Sequence, residues 1–442
     1  MKKNASSSYS AIRQGRWLHV IPVAFVMFTI AYIDRTNISM ALPSMSRDLH
    51  MTSTQAGGAA GVFFWGYLFL QIPGGYLAEH WSAKRVVSVL LVAWGICSAA
   101  CGLVQSARQL YVIRFLLGVA EGGVWPATLV LFASWFPRKE RARANGYWML
   151  CQPVALIFSA PLSGWILRHW SWRALLVWEG VLPFAWLLIW WRFMDDHPHQ
   201  ARWIDRAERE YLESTLRQEA SELAPAVPTT GYRTLLSARV WLLTLIYFLA
   251  NCSHYGYLFW LPSLLKNVSQ STSDVTIGFV FAIPYLLAGV GMVMNSRHSD
   301  LRMERRWHVA VPYAVAGVFL LLAILLRESA LVVSLALLCV AGMGTYGALG
   351  PFWALITETF GRGRSGLAMG LINALGALGG YFGPVAVGYL TARTGSFLFS
   401  FGALALGLLI SSLLTLLLPP ASTGTKGSQN QHREENGLLR AA

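Results

Sequence analysis

Four ionisable residues stand in stretches otherwise too apolar to hold them. Asp34 and Arg35 follow directly on HVIPVAFVMFTIAYI, and Arg114 and Glu121 flank the apolar run FLLGVA. Seven residues apart on one helix, Arg114 and Glu121 share a face and are separated by about 10 Å along the axis. An ionised side chain at the centre of a membrane helix costs roughly 2.5–3.5 kcal/mol on insertion scales, so four of them need a reason that packing does not supply. Two kinds of chemistry would supply one. An arginine presents a planar fork that grips a carboxylate through two hydrogen bonds. A carboxyl in an apolar setting can take up and release a proton as a guanidinium partner comes and goes. The alternative is structural: two acids and two guanidinia that cancel one another and fasten two helices together.

These residues need long apolar elements around them, and the composition provides them. Of 442 residues, 55% are hydrophobic and only 13% charged, with 19 Trp and 22 Phe. A soluble chain could not hide so much apolar surface with so few charges left for its exterior. Twelve segments reach the roughly 20 residues needed to cross a bilayer: about 17–41, 55–78, 86–106, 109–135, 144–167, 173–193, 239–262, 275–296, 307–326, 330–357, 366–391 and 396–418. The fold class expected is an all-α membrane protein. The net charge of +14 could point to nucleic acid, but the placement of the basic residues decides otherwise. With a cytoplasmic N-terminus, 26 Lys and Arg fall on the cytoplasmic side and 7 on the opposite side. That is the positive-inside pattern. It places both termini in the cytoplasm and a multi-pass protein in the cell's inner (plasma) membrane, with no nucleic-acid partner. The polar leader MKKNASSSYSAIRQGR runs into a full span without a small-residue cleavage site, so it reads as part of the chain. Cys97, Cys101, Cys151, Cys252 and Cys339 all fall in spans, which argues against disulfides, and without His or carboxylate neighbours no metal site is expected.

One long polar stretch, 194–240, divides the chain, and the halves echo each other. Pro43 recurs as Pro262, Lys84-Arg85 as Arg305-Arg306, and Pro126 as Pro351, at offsets of 219, 221 and 225. Duplicated halves place a substrate site between them near the bilayer midplane. The expected organisation is a cytoplasmic segment 1–16, a six-helix bundle 17–193, a cytoplasmic loop 194–238 with a charged helix near 200–220, a second bundle 239–418 and a cytoplasmic tail 419–442. The short loops GGYLAEHWSAKR and NSRHSDLRMERR occupy equivalent places in the two halves. Their charges set topology. They also suit an acid–base latch in which Glu79 or Asp300 pairs with basic groups such as Lys84 and Arg85 when the cytoplasmic side is closed.

The first of these loops, in the form G-x-L-A-E-x-W-x-x-K-R, resembles the loop motif of the major facilitator superfamily, with Glu79 where the family has Asp and Ser82 where it has Gly. Within that superfamily, YIDRTNIS, RFLLGVAEGGVWPA, WFPRKERARANG, FWLPSLL and GLINALGALGG resemble the anion:cation symporter family. The likeness implies two pseudo-symmetric six-helix bundles that work by alternating access, with no cofactor beyond protons as the coupling ion. It implies Asp34 and Glu121 as proton-coupling acids, with Arg35 and Arg114 as their charge partners. It further implies cavity positions at Tyr67, Gln152 and Asn373. His254 and Tyr255 join them as candidates from the residues alone, although a buried His can equally be a satisfied core residue and Asn37 a helix-to-helix hydrogen bonder.

The function expected is import of a small organic carboxylate by proton symport, with a sugar acid preferred to an aromatic or dicarboxylic acid, in a monomeric carrier. Arg35 is expected to take the substrate carboxylate from a cavity that reaches Asp34, and Arg114 to regulate Glu121. A proton-driven exporter is the nearest rival, but span five lacks the GP-x-x-GG element usual there. No H-E-x-x-H, G-x-S-x-G or nucleotide-binding loop is present, which argues against an enzyme or an ATP-driven pump.

Overall fold

The computed structural model describes residues 14–221, 236–268, 273–326, 331–360 and 365–418. Most of the expected N-terminal segment, residues 222–235 of the expected cytoplasmic loop and the tail therefore lie outside the described residues. Among the described residues every regular element is a helix. The first half runs α1 (Gly15–Thr36), α2 (Ile38–Asp48), α3 (Ser53–Gly61), α4 (Phe63–Phe69), α5 (Gln71–Leu77), a π-turn (Ala78–Ser82), α6 (Ala83–Cys101), α7 (Ala107–Gly122), α8 (Val124–Trp135), α9 (Arg138–Met149), α10 (Cys151–His169) and α11 (Trp172–Phe193). After α12 (Arg206–Ser221) the second half follows: α13 (Ala238–Val268), α14 (Asp274–Arg302), α15 (Arg306–Leu325), α16 (Leu331–Gly347), α17 (Leu349–Phe360), α18 (Ser365–Ala377), α19 (Gly379–Thr394) and α20 (Phe397–Leu416).

Within lipid only helices and closed barrels satisfy every backbone group, and continuous apolar runs of about 20 residues suit helices. Among the described residues, ten helices are long and apolar enough to cross a membrane. The other two expected spans are helical too: 239–262 lies inside the 31-residue α13, and 55–78 is covered by α3, α4 and α5 in succession. Two six-helix bundles result, one from α1–α11 and one from α13–α20. At the face away from the chain ends, here the distal face, five turns start the next helix with a Ser or Thr cap: Thr52, Ser106, Ser171, Ser273 and Ser396 each accept a backbone N–H. On the other face, the terminal face, buried Arg16 donates to Glu140 at 2.9 Å and to Glu208 at 2.6 Å, which bolts α12 onto the first bundle.

The bundles meet through their distal halves, where glycine lets backbones touch. A Cβ on Gly57 would collide with the Pro384 carbonyl, and one on Gly388 with the Ser53 carbonyl. Small residues at such crossings are the usual device for close helix packing in lipid. Gly57→Leu is therefore expected to disfavour this distally closed arrangement. Overpacking costs about 1–3 kcal/mol, which shifts a two-state equilibrium about 5- to 150-fold. The check is impermeant-maleimide labelling of a cysteine placed at Ser263, in the distal groove between the bundles. It should speed up in the Gly57→Leu background, and an unchanged rate would show that the Gly57 contact does not close this side.

Candidate functional site

A central cavity lies between the bundles. Arg35 of α1, Tyr67 of α4 and Gln152 of α10 line it from the first half. Asn251, His254 and Tyr255 of α13 and Asn373 of α18 line it from the second. All five neutral residues singled out in the sequence are thus brought to one space. Eight aromatic side chains complete the wall: Phe28, Phe64, Tyr67, Trp125, Tyr247, Tyr255, Tyr313 and Trp353. Among the described residues, Arg35 is the one charged group that lines it.

Arg35 is held from two sides. Its Nη2 donates to Glu121 Oε2 at 3.1 Å. Its guanidinium carbon lies 4.8 Å from the centre of the Tyr67 ring, 5.1 Å from Phe63 and 5.7 Å from Tyr32. Aromatic faces attract a planar cation without neutralising it, so the fork stays available to an anion. Arg35 Nε and Glu121 Oε1 have no hydrogen-bond partner among the described residues. That is the state of a pair with bonding capacity to spare, since buried polar groups are otherwise satisfied.

Asp34 faces elsewhere, and this corrects the expectation that the cavity reaches it. Successive residues on a helix point about 100° apart, so a cavity that meets Arg35 leaves Asp34 turned into the first bundle. There it is 1% exposed and accepts hydrogen bonds from Trp94 Nε1 at 2.5 Å and Ser98 Oγ at 2.9 Å, both on α6.

Arg114 acts on Glu121 only through its charge and makes no ion pair with it. Its guanidinium donates to the Asp34, Arg35 and Ala60 carbonyls at 3.3–3.4 Å, and the ion pair of Glu121 is with Arg35. These carbonyls lie where α1 and α3 break off, and the positive charge meets the negative ends of both helices. Arg114→Gln is accordingly expected to destabilise the fold by about 2–4 kcal/mol, since bonds to charged donors contribute about 1.5–3 kcal/mol each. A thermal-unfolding midpoint in detergent equal to wild type would refute this.

The sequence profile of the Major Facilitator Superfamily matches residues 24–384. The chain belongs to the major facilitator superfamily. A putative tartrate transporter of Agrobacterium vitis is 32% identical over 93% of this chain and 93% of its own length. A quinolone resistance transporter of Acinetobacter baumannii is 29% identical over 90% of this chain and 93% of its own. In fold, the inward-open xylose transporter of Escherichia coli superposes with a TM-score of 0.74 at 13% identity, over 92% of this chain and 97% of that one. The anion:cation symporter resemblance seen in the motifs agrees with these relatives, and the chain is a multi-pass membrane transporter rather than an enzyme.

In this superfamily member, seen here closed on the distal side rather than the side where the latch was expected to close, the first short loop is held by other acids. Glu79 sits exposed on the π-turn and makes no ion pair or hydrogen bond among the described residues. The acids that hold the loop come from the end of α11: Asp196 accepts from Ser82 Oγ and from the Lys84 backbone N–H at 2.8 Å, and Asp195 pairs with Lys84 Nζ at 3.4 Å. Arg85 lies over the Trp81 ring. In the second loop Asp300 does pair, with Arg305, which also binds Glu358 of α17 at 2.8 Å. The backbone N–H of Trp307 and the His308 ring, both donating to Glu304 beside this cluster, hold its carboxyl below the usual range against a partial burial that pushes it up.

Several residues escaped the sequence reading. The cavity rings are spread over many spans, and nothing local marks them out from lipid-facing aromatics. Glu179, 2% exposed in α11, carried a plain signal: an acid inside LLVWEGVLPF.

Proposed function

We propose that this chain is a proton-coupled importer of a small organic monocarboxylate, most simply a sugar acid, working by alternating access with the terminal face in the cytoplasm. The observation that carries the reading is a cavity with one arginine fork, an acid beside it, and amides and hydroxyls around it. One cation suits one carboxylate. Gln152, Asn251 and Asn373 offer hydrogen bonds to hydroxyl groups, and the aromatic rings offer apolar faces to the carbon skeleton. A proton on Glu121 would release Arg35, and the substrate carboxylate would take the place of the acid. Asp34 is read as the second coupling acid, binding its proton away from the cavity.

The eight rings favour a second reading, an aromatic monocarboxylate stacked in the same cavity. The relative named for quinolone resistance keeps outward transport as a further reading. A thermal-shift screen separates the substrates: ligand at 100 times its Kd stabilises by about 2.7 kcal/mol, and D-gluconate is expected to exceed D-glucarate and benzoate. Uptake of labelled D-gluconate into right-side-out and everted vesicles then gives direction. No stabilisation by any of the three, with no uptake in either orientation, would refute the proposal.

A further inference from the structure

One buried acid has no part in the mechanism above. Glu179 of α11 accepts a hydrogen bond from Ser163 Oγ of α10 at 3.0 Å through Oε1, and among the described residues its Oε2 has no hydrogen bond of normal geometry. Asn37, also 2% exposed, faces it from the junction of α1 and α2, and neither atom of that amide has a hydrogen bond of normal geometry. Asp34, one helical turn before Asn37, is near enough to interact with the charge of Glu179. Cys101 of α6 and Glu121 of α7 both lie within range of the Asp34 charge. No cation pairs with Glu179 among the described residues.

The depths of these groups form a series. Asp48 at the end of α2 accepts from Trp172 Nε1 at 2.8 Å and Arg173 Nη1 at 3.1 Å at the start of α11, so both helix ends lie at one level on the distal face. Counted at about 1.5 Å per residue, Glu179 lies about 10 Å below that level, Asn37 about 16 Å and Asp34 about 21 Å. A glutamate oxygen that faces an amide across a contact short of normal hydrogen-bond geometry is a poor structural joint, since a buried polar atom left unsatisfied costs about 1–3 kcal/mol. It is a good place for a mobile proton. Protonated, Glu179 can donate through Oε2 to Asn37 Oδ1; deprotonated, it can accept from Asn37 Nδ2.

We propose that Glu179 is a proton-relay site that takes protons from the distal face and delivers them past Asn37 to Asp34, inside the first bundle and apart from the substrate cavity. The proposal rests on the reading of Asp34 as a coupling acid. In the step itself the proton leaves Glu179 Oε2 and ends on an oxygen of the Asp34 carboxylate. Glu179 becomes the carboxylate and Asp34 the neutral acid, and the charge of the pair changes only when the next proton arrives. Asn37 is a positioning residue that bonds either form of Glu179.

Two measurements test this. Infrared difference spectra of the purified protein between acid and alkaline buffer report buried carboxyl C=O stretches without any substrate. A titrating band is expected in wild type and in Asp34→Asn, and it should vanish in Glu179→Gln; carboxyl spectra that Glu179→Gln leaves unaltered would overturn the relay. In liposomes loaded with a pH dye, D-gluconate-driven proton uptake should slow at least tenfold in Glu179→Gln and recover in part in Glu179→Asp, while D-gluconate counterflow stays at the wild-type rate. Equal loss of counterflow and proton uptake would mark Glu179 as structural and overturn the relay. Wild type that exchanges D-gluconate but moves no protons with it would overturn the symport reading and the relay to Asp34 together, leaving the infrared band to show whether Glu179 binds a proton at all.

Discussion

Arg35→Lys is expected to bind and transport the carboxylate substrate about 10- to 150-fold more weakly than wild type, while the protein stays folded. The charge survives this change, so the ion pair with Glu121 can re-form and the buried acid is not abandoned. What is lost is the fork. An ammonium offers a carboxylate one good bond where a guanidinium offers two in a plane, and a charge-assisted hydrogen bond contributes about 1.5–3 kcal/mol. The surroundings sharpen the difference, because the flat face of Arg35 lies over Tyr67 and Phe63, and a compact, strongly hydrated ammonium fits that ring cage less well. Titration of D-gluconate into the detergent-solubilised variant and counterflow in liposomes read the effect. Wild-type affinity in Arg35→Lys would show that the carboxylate binds elsewhere.

How far the chain could be understood beforehand follows from where each signal sits. Apolar runs of membrane length are local, so the helices were legible, as was the charged helix that became α12. Charges in such runs are equally visible, which brought out Asp34, Arg35, Arg114 and Glu121. Their pairing was not legible, because it depends on the rotation of each helix about its axis. A turn of about 100° between neighbours separates Arg35, in the cavity, from Asp34, bonded to Trp94 and Ser98. The role of Arg114 depends on breaks in α1 and α3 that leave carbonyls free, and nothing in YIDRTNIS announces a break at Asn37. Glu79 shows the same limit in a loop. Its motif points to Glu79 for a latch on the closed cytoplasmic side, and nothing in it reveals that in this distally closed arrangement Asp195 and Asp196, far off in sequence, hold the loop.

The two coupling acids should behave differently when neutralised, and their surroundings say how. Glu121→Gln removes the competitor for Arg35. That variant should hold D-gluconate at least as tightly as wild type and carry out counterflow, yet fail to accumulate substrate against a gradient. Asp34→Asn changes a residue that does not line the cavity, so it should also abolish uphill uptake, with binding altered little. If both acids load a proton in each cycle, two protons accompany one monoanion and net positive charge moves inward. Each elementary charge gains about 2.3 kcal/mol per 100 mV, enough for about 50-fold accumulation. One proton per monoanion would leave the cycle electroneutral, drawing only on the pH gradient at about 1.4 kcal/mol per unit. Keeping two separate buried acids, each with its own partners, is the arrangement expected of the electrogenic cycle. Uptake by wild-type liposomes should therefore rise when a potassium-diffusion potential makes the interior negative, at fixed pH on both sides. Uptake indifferent to that potential would mean that only one of the two acids titrates, and the variant that still couples protons would identify the idle one.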